Sequence, residues 1–520
     1  MRRLANKKEQ PTGMIQNLRQ LLEERAAAAP DKVFLFSEAD GRRFTYREFD
    51  AAVNRAANLL ASRGVRAGDV VSLLLPNSAE YVVAYFACFK LGALAGPVNS
   101  LLKPEEMAYV VGNSEARLLL YHTQFAAQAE ALRAETNVSG VVFDDEREAT
   151  AGQPDAPGAW GAARRGADDE AIIIYTSGTT GRPKGCLLTH GNLVANARQI
   201  TEWLGFTEDD RLLTLMPLFH MNAVSVTTAS ALYAGGSTVV SPRFSASRFW
   251  RIVGEYGVTS FGSVATMLSM LLAAYPDGAP EGSGENRLRF AMCGSAPVPA
   301  AVLRRFEETF RCLVVEGYGL SESTCRSTFN PPDERRRPGS CGMPIGNEMR
   351  VVDEEDRELP DGEAGEIVMR GENVFKGYFK NEEATARAFR GGWFHTGDVG
   401  YRDPDGFYHI VDRKSDMIIR GGENIYPREI DELLYRHPAV AEAAAFGVPD
   451  ELYGEDVAAF VVLREGHAAA GEEIAAYCRE HLADFKCPKT VRVVASLPKG
   501  PTGKVLKREL RRLWAESSGQ

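Results

Sequence analysis

The sequence has no Cys-x-x-Cys pair, no internal repeat, no basic excess and no apolar run of bilayer length, and each absence removes a class of protein. Its eight cysteines (Cys88, Cys186, Cys293, Cys312, Cys325, Cys341, Cys478 and Cys487) are too scattered for a zinc site or a disulfide framework, and read as free thiols in a reducing compartment. With 60 Lys and Arg against 70 Asp and Glu, the net charge of -10 leaves nothing to neutralise a nucleic-acid backbone. The longest apolar stretch, "YVVAYFACFKLGALAGPV", carries Lys90 near its centre and predicts a buried helix leading into a strand, not a membrane span. No apolar segment of signal-peptide length follows the basic start "MRRLANKKEQ", so a cytoplasmic location is expected.

What is present is an ordinary globular composition, 44% hydrophobic and 25% charged over 520 residues, long enough for at least two compact units. Short β-rich runs recur, each followed by a turn and a helix-like stretch: "VVSLLLPNS", "ARLLLYHT", "AIIIYTSG", "RLLTLMPLFH", "STVVSP", "LRFAMCGSAP" and "LVVEGYG". This alternation predicts α/β layers with much parallel sheet. Ligands of such sheets bind beyond the carboxyl ends of the strands, where the glycine-rich loops after Ile174, Met292 and Val315 are placed. Past about residue 340 the turn-bounded strands "EAGEIVMRG" and "GFYHIVDR" predict an antiparallel β subdomain reaching residue 412. From 413 to 520 a separate α+β unit is expected, with Pro427 opening an amphipathic helix that carries Ile430, Leu433 and Leu434 on one face. The biased segments at 151–167 and 276–284 read as surface loops.

The stretch "YTSGTTGRPKG" at 175–185 has the glycines, hydroxyls and lysine that let backbone N–H groups approach phosphate closely. It is not a Walker A loop, because counting from Gly178 puts Pro183 at the second glycine and Gly185 at the Ser/Thr position. With it, in order, come "CGSAP" (293–297), "EGYGLSES" (316–323), "GWFHTGDVGYRDPDGFYHIVDRKSDMIIRGGENIYPREID" (392–431) and "PKGPTGKVLKREL" (498–510). On these motifs the chain resembles the ANL adenylate-forming superfamily and, within it, the acyl-CoA synthetases, from about residue 20 to residue 512.

The resemblance implies a large N-terminal domain of layered mixed sheets and helices, a small mobile C-terminal domain, and an active site between them. It implies two half-reactions: a carboxylate and Mg·ATP give acyl-AMP and pyrophosphate, and CoA then displaces AMP. A mixed anhydride divides one hard substitution into two easier ones, and both steps need donors for developing oxyanions. By the same resemblance Thr176, Ser177, Gly178, Thr179, Thr180, Gly181 and Lys184 hold the β- and γ-phosphates. Gly294, Ser295, Ala296 and Pro297 line adenine, Tyr318 between Gly317 and Gly319 packs on the ring, Ser321 lies near the α-phosphate, and Glu322 ligates Mg²⁺. Asp398 takes the ribose hydroxyls, Arg413 supports ribose and phosphate, and Lys504 bridges the carboxylate and the α-phosphate. Gly421, Gly422 and Glu423 lie where CoA passes, with the glycines leaving room for a tunnel. His220 stands at the gating aromatic position of the pocket mouth. Ser415 aligns with the hinge, where the family usually has Asp or Lys, and Lys414 and Asp416 flank it.

Amino-acid-activating relatives place an aspartate in the segment that here reads "MPLFHMNAVSV", so its lack of an acid favours an uncharged acyl group. No carrier domain follows "AESSGQ", no SKL-type address is present, and no insertion of the fatty-acyl-AMP ligase kind lies between Phe329 and Asp398. The 392–416 stretch is similar to the fatty-acyl-CoA synthetase signature, which leans toward a medium- or long-chain fatty acid, with aryl acids as the alternative. Pocket candidates by analogy are His220, Met221, Gly262, Ala265, Gly294, Gly317, Gly319 and Cys325. The competing reading is a catalytically silent adenylate-binding regulator, against which the retention of Glu322, Asp398 and Lys504 speaks. Expected partners are a small carboxylic acid, ATP and CoA, with a homodimer as candidate assembly and no metal other than Mg²⁺ or Mn²⁺.

Overall fold

The computed structural model describes residues 15–162, 165–176, 182–281, 286–294, 298, 300–421, 423–500 and 505–518. Among these residues the strands form four sheets. The first runs in the order Met343–Pro344, Thr328–Phe329, Leu313–Tyr318, Phe290–Cys293, Ser260–Ser263, Arg211–Thr214, Ser237–Val240, Val33–Ser37 and Arg43–Thr45. All its strands from Leu313–Tyr318 to Val33–Ser37 are parallel, so their carboxyl ends share one edge. The second follows the order Gly377–Tyr378, Lys184–Thr189, Glu170–Thr176, Leu94–Pro97, Val70–Leu74, Leu118–Tyr121 and Ser139–Val142.

The expected helix over the long apolar stretch is Ala79–Leu91, capped by Ser78 at its start and ended by Gly92 in the left-handed region (φ 80°). It is buried all round, including Lys90. The Lys90 ammonium donates to Asp50 Oδ1 at 2.6 Å and to Asn54 Oδ1 at 2.8 Å on the neighbouring helix Tyr46–Ser62, which is why a charge is tolerated there. Lys90→Met would leave Asp50 without its cation, and chemical denaturation is expected to read a loss of about 3 kcal/mol.

One expectation is borne out and one is corrected. Where it is described, segment 151–167 is a surface loop as expected, and it is held in place. Asn58, buried on the helix beneath it, donates to the carbonyls of Pro154 and Ala156 and accepts from the Gly158 N–H and the Trp160 indole. One amide thereby pins the segment with all of its hydrogen-bonding capacity. The loop after Ile174 differs, because its strand continues to Thr176 and then pairs antiparallel with Lys184–Thr189. It is a hairpin connection, whereas Phe290–Cys293 and Leu313–Tyr318 end side by side in the parallel sheet as expected.

Helix His190–Leu204 begins with a fully buried histidine whose ring meets Phe89 edge-on and whose two ring nitrogens have no partner among the described residues. Burial pushes its pKa down to about 4. The unfolded chain therefore binds this proton first, near pH 6.5, so the neutral ring contributes stability above that pH which is lost as pH falls through about 4. Thermal unfolding across that window is expected to show a loss on the order of 3 kcal/mol that is absent from His190→Leu.

The third sheet, Glu348–Val352, Gly365–Arg370, Phe394–Arg402 and Tyr408–Arg413, is antiparallel, as the turn-bounded pattern predicts. Beyond it, helix Pro427–Leu434 buries Pro427, Ile430, Leu433 and Leu434 against a sheet built on Val440–Asp450 and Gly454–Leu463. The Arg428 N–H donates to Asp412 Oδ2 at 2.9 Å, and its guanidinium donates to the Ile410 carbonyl. Helix Pro427–Leu434 is thus tied to the end of the third sheet.

Candidate active site

Glu322 lies in a single turn, Ser321–Ser323, that follows the carboxyl end of Leu313–Tyr318. The carboxylate is buried, and its Oε1 accepts from the Thr176 hydroxyl at 3.3 Å and from the Tyr378 phenol at 3.1 Å. Thr176 ends one strand of the hairpin and Tyr378 belongs to the edge strand beside it, so two sheets converge on this acid. The other oxygen, Oε2, accepts no hydrogen bond among the described residues. One hard anionic oxygen beside a threonine hydroxyl suits Mg²⁺, which takes one or two carboxylates and completes its shell with phosphate and water.

Across the cleft, Asp398 is buried and held on both sides. The Tyr318 phenol donates to its Oδ2 at 2.6 Å, and Arg413 Nε lies 3.0 Å from its Oδ1. The pairing of Asp398 with Arg413 follows from register, since the two residues face each other on Phe394–Arg402 and Tyr408–Arg413. Burial and the Asp398 charge push the Tyr318 phenol well above its ordinary pKa, and Asp398 raises that of Arg413. The phenol therefore stays a donor and the guanidinium a cation, which fixes the geometry around the aspartate. Lys184, opposite Thr176 in the hairpin, places its ammonium 5.1 Å from the centre of the Tyr378 ring. Tyr378 thus touches both the candidate metal ligand and the candidate phosphate lysine.

Ser177, Gly178, Thr179, Thr180, Gly181, Ser295, Ala296, Pro297, Gly422 and Lys504 lie outside the described residues. Of the remaining glycines, several are required by the chain itself. A Cβ on Gly319 would fall 2.0 Å from the Cys325 carbonyl, and one on Gly317 would fall 2.5 Å from the Phe329 ring. At Gly294 the missing side chain admits the Arg326 guanidinium, where the sequence reading has adenine. Gly421, at φ 60°, has Tyr453 3.2 Å from where its Cβ would stand, so in this arrangement Tyr453 covers the place expected for a tunnel. Glu423 is exposed and pairs with Arg420 across the neighbouring strand.

His220 and Met221 precede an unusually wide helical turn, Asn222–Ala229, in which the Ser230 N–H reaches back five residues to Ser225. Burial pushes the His220 imidazole down to about 4, and its Nε2 has no partner among the described residues. Met221 and Cys325 are buried, and Ala265 opens helix Ala265–Ala274. Ser415 is the exposed residue of a turn whose neighbours are fastened: the Lys414 N–H donates to Gly397, its ammonium to Glu354 at 2.9 Å, and the Asp416 N–H to Arg413.

Three side chains were missed from sequence. Tyr378 sits in "KGYFK", which carries no chemical pattern. Asn222 ends the quoted "MPLFHMN", and Arg326 interrupts the small and apolar run "STCRSTF", where a lone charge was the available signal.

Residues 22–379 match the AMP-binding enzyme family, and residues 429–504 match the AMP-binding enzyme C-terminal domain. The chain is 38% identical to the sulfoacetate–CoA ligase of Cupriavidus necator, covering 94% of this chain and 96% of that one. It is 34% identical to the long-chain-fatty-acid–CoA ligase FadD13 of Mycobacterium tuberculosis, covering 96% and 98%. Among solved structures, ATP-bound MatB from Rhodopseudomonas palustris superposes with a TM-score of 0.89 at 33% identity, covering 96% of this chain and 99% of that one. Among the described residues no helix is long and apolar enough to cross a membrane. The chain belongs to the AMP-binding enzymes of the ANL superfamily and is an AMP-forming acid–CoA ligase with ATP and CoA as co-substrates.

Proposed function

We propose that the site works as two carboxylates with separate duties. Glu322, with one oxygen held by Thr176 and Tyr378 and the other free of protein donors, holds Mg²⁺ on the nucleotide; Asp398, clamped by Tyr318 and Arg413, holds the ribose. The observation that carries this reading is that pair of buried carboxylates with unlike partners. Bound Mg²⁺ would supply charge neutralisation on the phosphates. Lys184 and the loop 176–181 position the phosphates, His220 gates the pocket mouth, and Lys504 meets the acid and the α-phosphate. Residues 1–412 form the nucleotide half with its β subdomain at about 340–412, and 413–520 form a mobile unit that pivots at Ser415 and brings Gly421, Gly422 and Glu423 to CoA. We place the enzyme in the cytoplasm and take a homodimer as its candidate assembly.

For the acid, the sequence leans to a medium- or long-chain fatty acid, supported by the long-chain ligase relative, with aryl acids as the alternative. The sulfoacetate ligase relative, similar over nearly the same span, supports a short anionic acid instead. One fold therefore serves both, and the pocket side chains must decide. The test is acid-dependent ATP–pyrophosphate exchange, followed by AMP release with and without CoA, over acids from acetate to palmitate plus benzoate and coumarate. CoA-stimulated AMP release is expected. Exchange that no acid stimulates would favour the silent adenylate binder.

A further inference from the structure

We propose that Arg326 reads a second anionic group on the acid, so that the substrates are acids bearing a carboxylate or sulfonate besides the carboxylate that is activated; this rests on the ligase reading above. Arg326 is 2% exposed. Among the described residues none of its guanidinium nitrogens donates a hydrogen bond or forms an ion pair. That sets it apart. Five other arginines have a buried nitrogen without a partner, and each is bonded through another nitrogen: Arg25 to Tyr233, Arg42 to Glu80, Arg165 to Leu91, Arg211 to Tyr256 and Arg336 to Glu307. Among the described residues its guanidinium meets the face of Phe329, 5.3 Å away. A ring face offsets a fraction of what desolvating a full charge costs, so a buried guanidinium in this condition calls for an anion.

Its position says where the anion comes from. Asn196 grips the Arg326 backbone from both sides, accepting from the N–H at 3.4 Å and donating to the carbonyl at 2.7 Å, and Asn373 donates to the same carbonyl. The guanidinium fills the space left by Gly294, where a Cβ would stand 2.6 Å from Nη2. On the adjoining parallel strand, Gly262 makes the same room for Asn222, whose Oδ1 would be 2.6 Å from a Cβ there. Gly262 pairs with Met292, two residues before Gly294, so both glycines lie near the carboxyl ends of neighbouring strands, and the two strands run about 4.8 Å apart. Asn222 is also buried, and among the described residues neither of its amide atoms has a partner, nor has Nε2 of His220 two residues before it.

A cation and an amide without partners thus converge at the strand ends where open parallel sheets bind ligands. A guanidinium fork and an amide N–H suit the paired oxygens of a carboxylate or the three of a sulfonate. An alkyl tail would bury against the charge and neutralise nothing. On this proposal the acyl group carries a charge, in contrast to the uncharged group expected from the lack of an acid in "MPLFHMNAVSV".

The test compares kcat/KM for isosteric pairs, succinate and 3-sulfopropionate against butyrate, and adds hexanoate and palmitate, in the full chain with ATP and CoA. The wild type is expected to prefer succinate or 3-sulfopropionate over butyrate by about 100-fold or more, and whichever is faster identifies carboxylate or sulfonate. In Arg326→Gln and Arg326→Met that ratio should fall about 100-fold through KM for the dianionic acid, and Arg326→Lys should recover part of it. A purely structural arginine would lower both acids alike and leave the ratio unchanged, which overturns the proposal. Preference of the wild type for butyrate, hexanoate or palmitate overturns it too, with the ligase reading intact. Exchange with none of these acids, but with benzoate or coumarate, overturns the proposal and leaves the ligase reading intact.

Discussion

Glu322→Gln is expected to lower acid-dependent ATP–pyrophosphate exchange by about 10²–10³-fold at ordinary Mg²⁺, with the fold unchanged by circular dichroism and melting temperature. The substitution is nearly isosteric, and an amide oxygen at Oε1 can still accept from Thr176 and Tyr378, so the local hydrogen bonds survive. What disappears is the anionic charge and the free second oxygen, which becomes an NH₂ donor. A cation meeting a donor instead of a carboxylate loses a ligand outright. The loss should lessen as Mg²⁺ is raised, because the remaining affinity comes from phosphate and water. Exchange within a few-fold of wild type at ordinary Mg²⁺ would remove Glu322 from the metal site and leave it as the acceptor that ties Thr176 to Tyr378.

The second large effect concerns the two half-reactions. Lys504→Ala should cost about 3 kcal/mol or more of transition-state stabilisation in adenylation, as expected for deleting a preorganised cation, yet still convert supplied acyl-AMP and CoA to thioester. Preformed acyl-AMP already contains the bond that this lysine assists. Gly421→Leu should do the reverse, retaining exchange while losing thioester formation by about 100-fold. At φ 60° a leucine is strained, and its Cβ would meet Tyr453, so the damage is expected at the turn proposed to face CoA and not at the nucleotide. Ser415→Pro should slow the second step more than the first, since its fastened neighbours leave Ser415 to absorb the backbone torsion. Equal losses in both half-reactions for Lys504→Ala and Gly421→Leu would mean one fixed site without domain alternation.

Much of the fold was legible because buried parallel strands announce themselves as continuous apolar runs: "AIII", "RLLT" and "LVV" all lie in strands. The amphipathic helix after Pro427 was legible for the complementary reason, a 3.6-residue period beside a helix-starting proline. The hairpin after Ile174 was not, since a glycine-rich loop looks alike whether it turns into a strand or a helix, and only the pairing of Thr176 with Lys184 tells them apart. The pinning of 151–167 escaped for a similar reason: its partner, Asn58, lies about a hundred residues away on another helix.

The sequence by itself determined the family and the order of the motifs, because these are written in short stretches whose local chemistry travels with them. Which acid is chosen was left to the tertiary structure. Arg326, Asn222, Gly262 and Gly294 lie on four separate segments, and nothing in any one of them shows that a guanidinium will be buried without a counterion beside an unpartnered amide. Burial and the absence of a partner are properties of the packed state, set by what other strands bring to the same place. Specificity, being a difference in how that packed site meets competing ligands, is decided there.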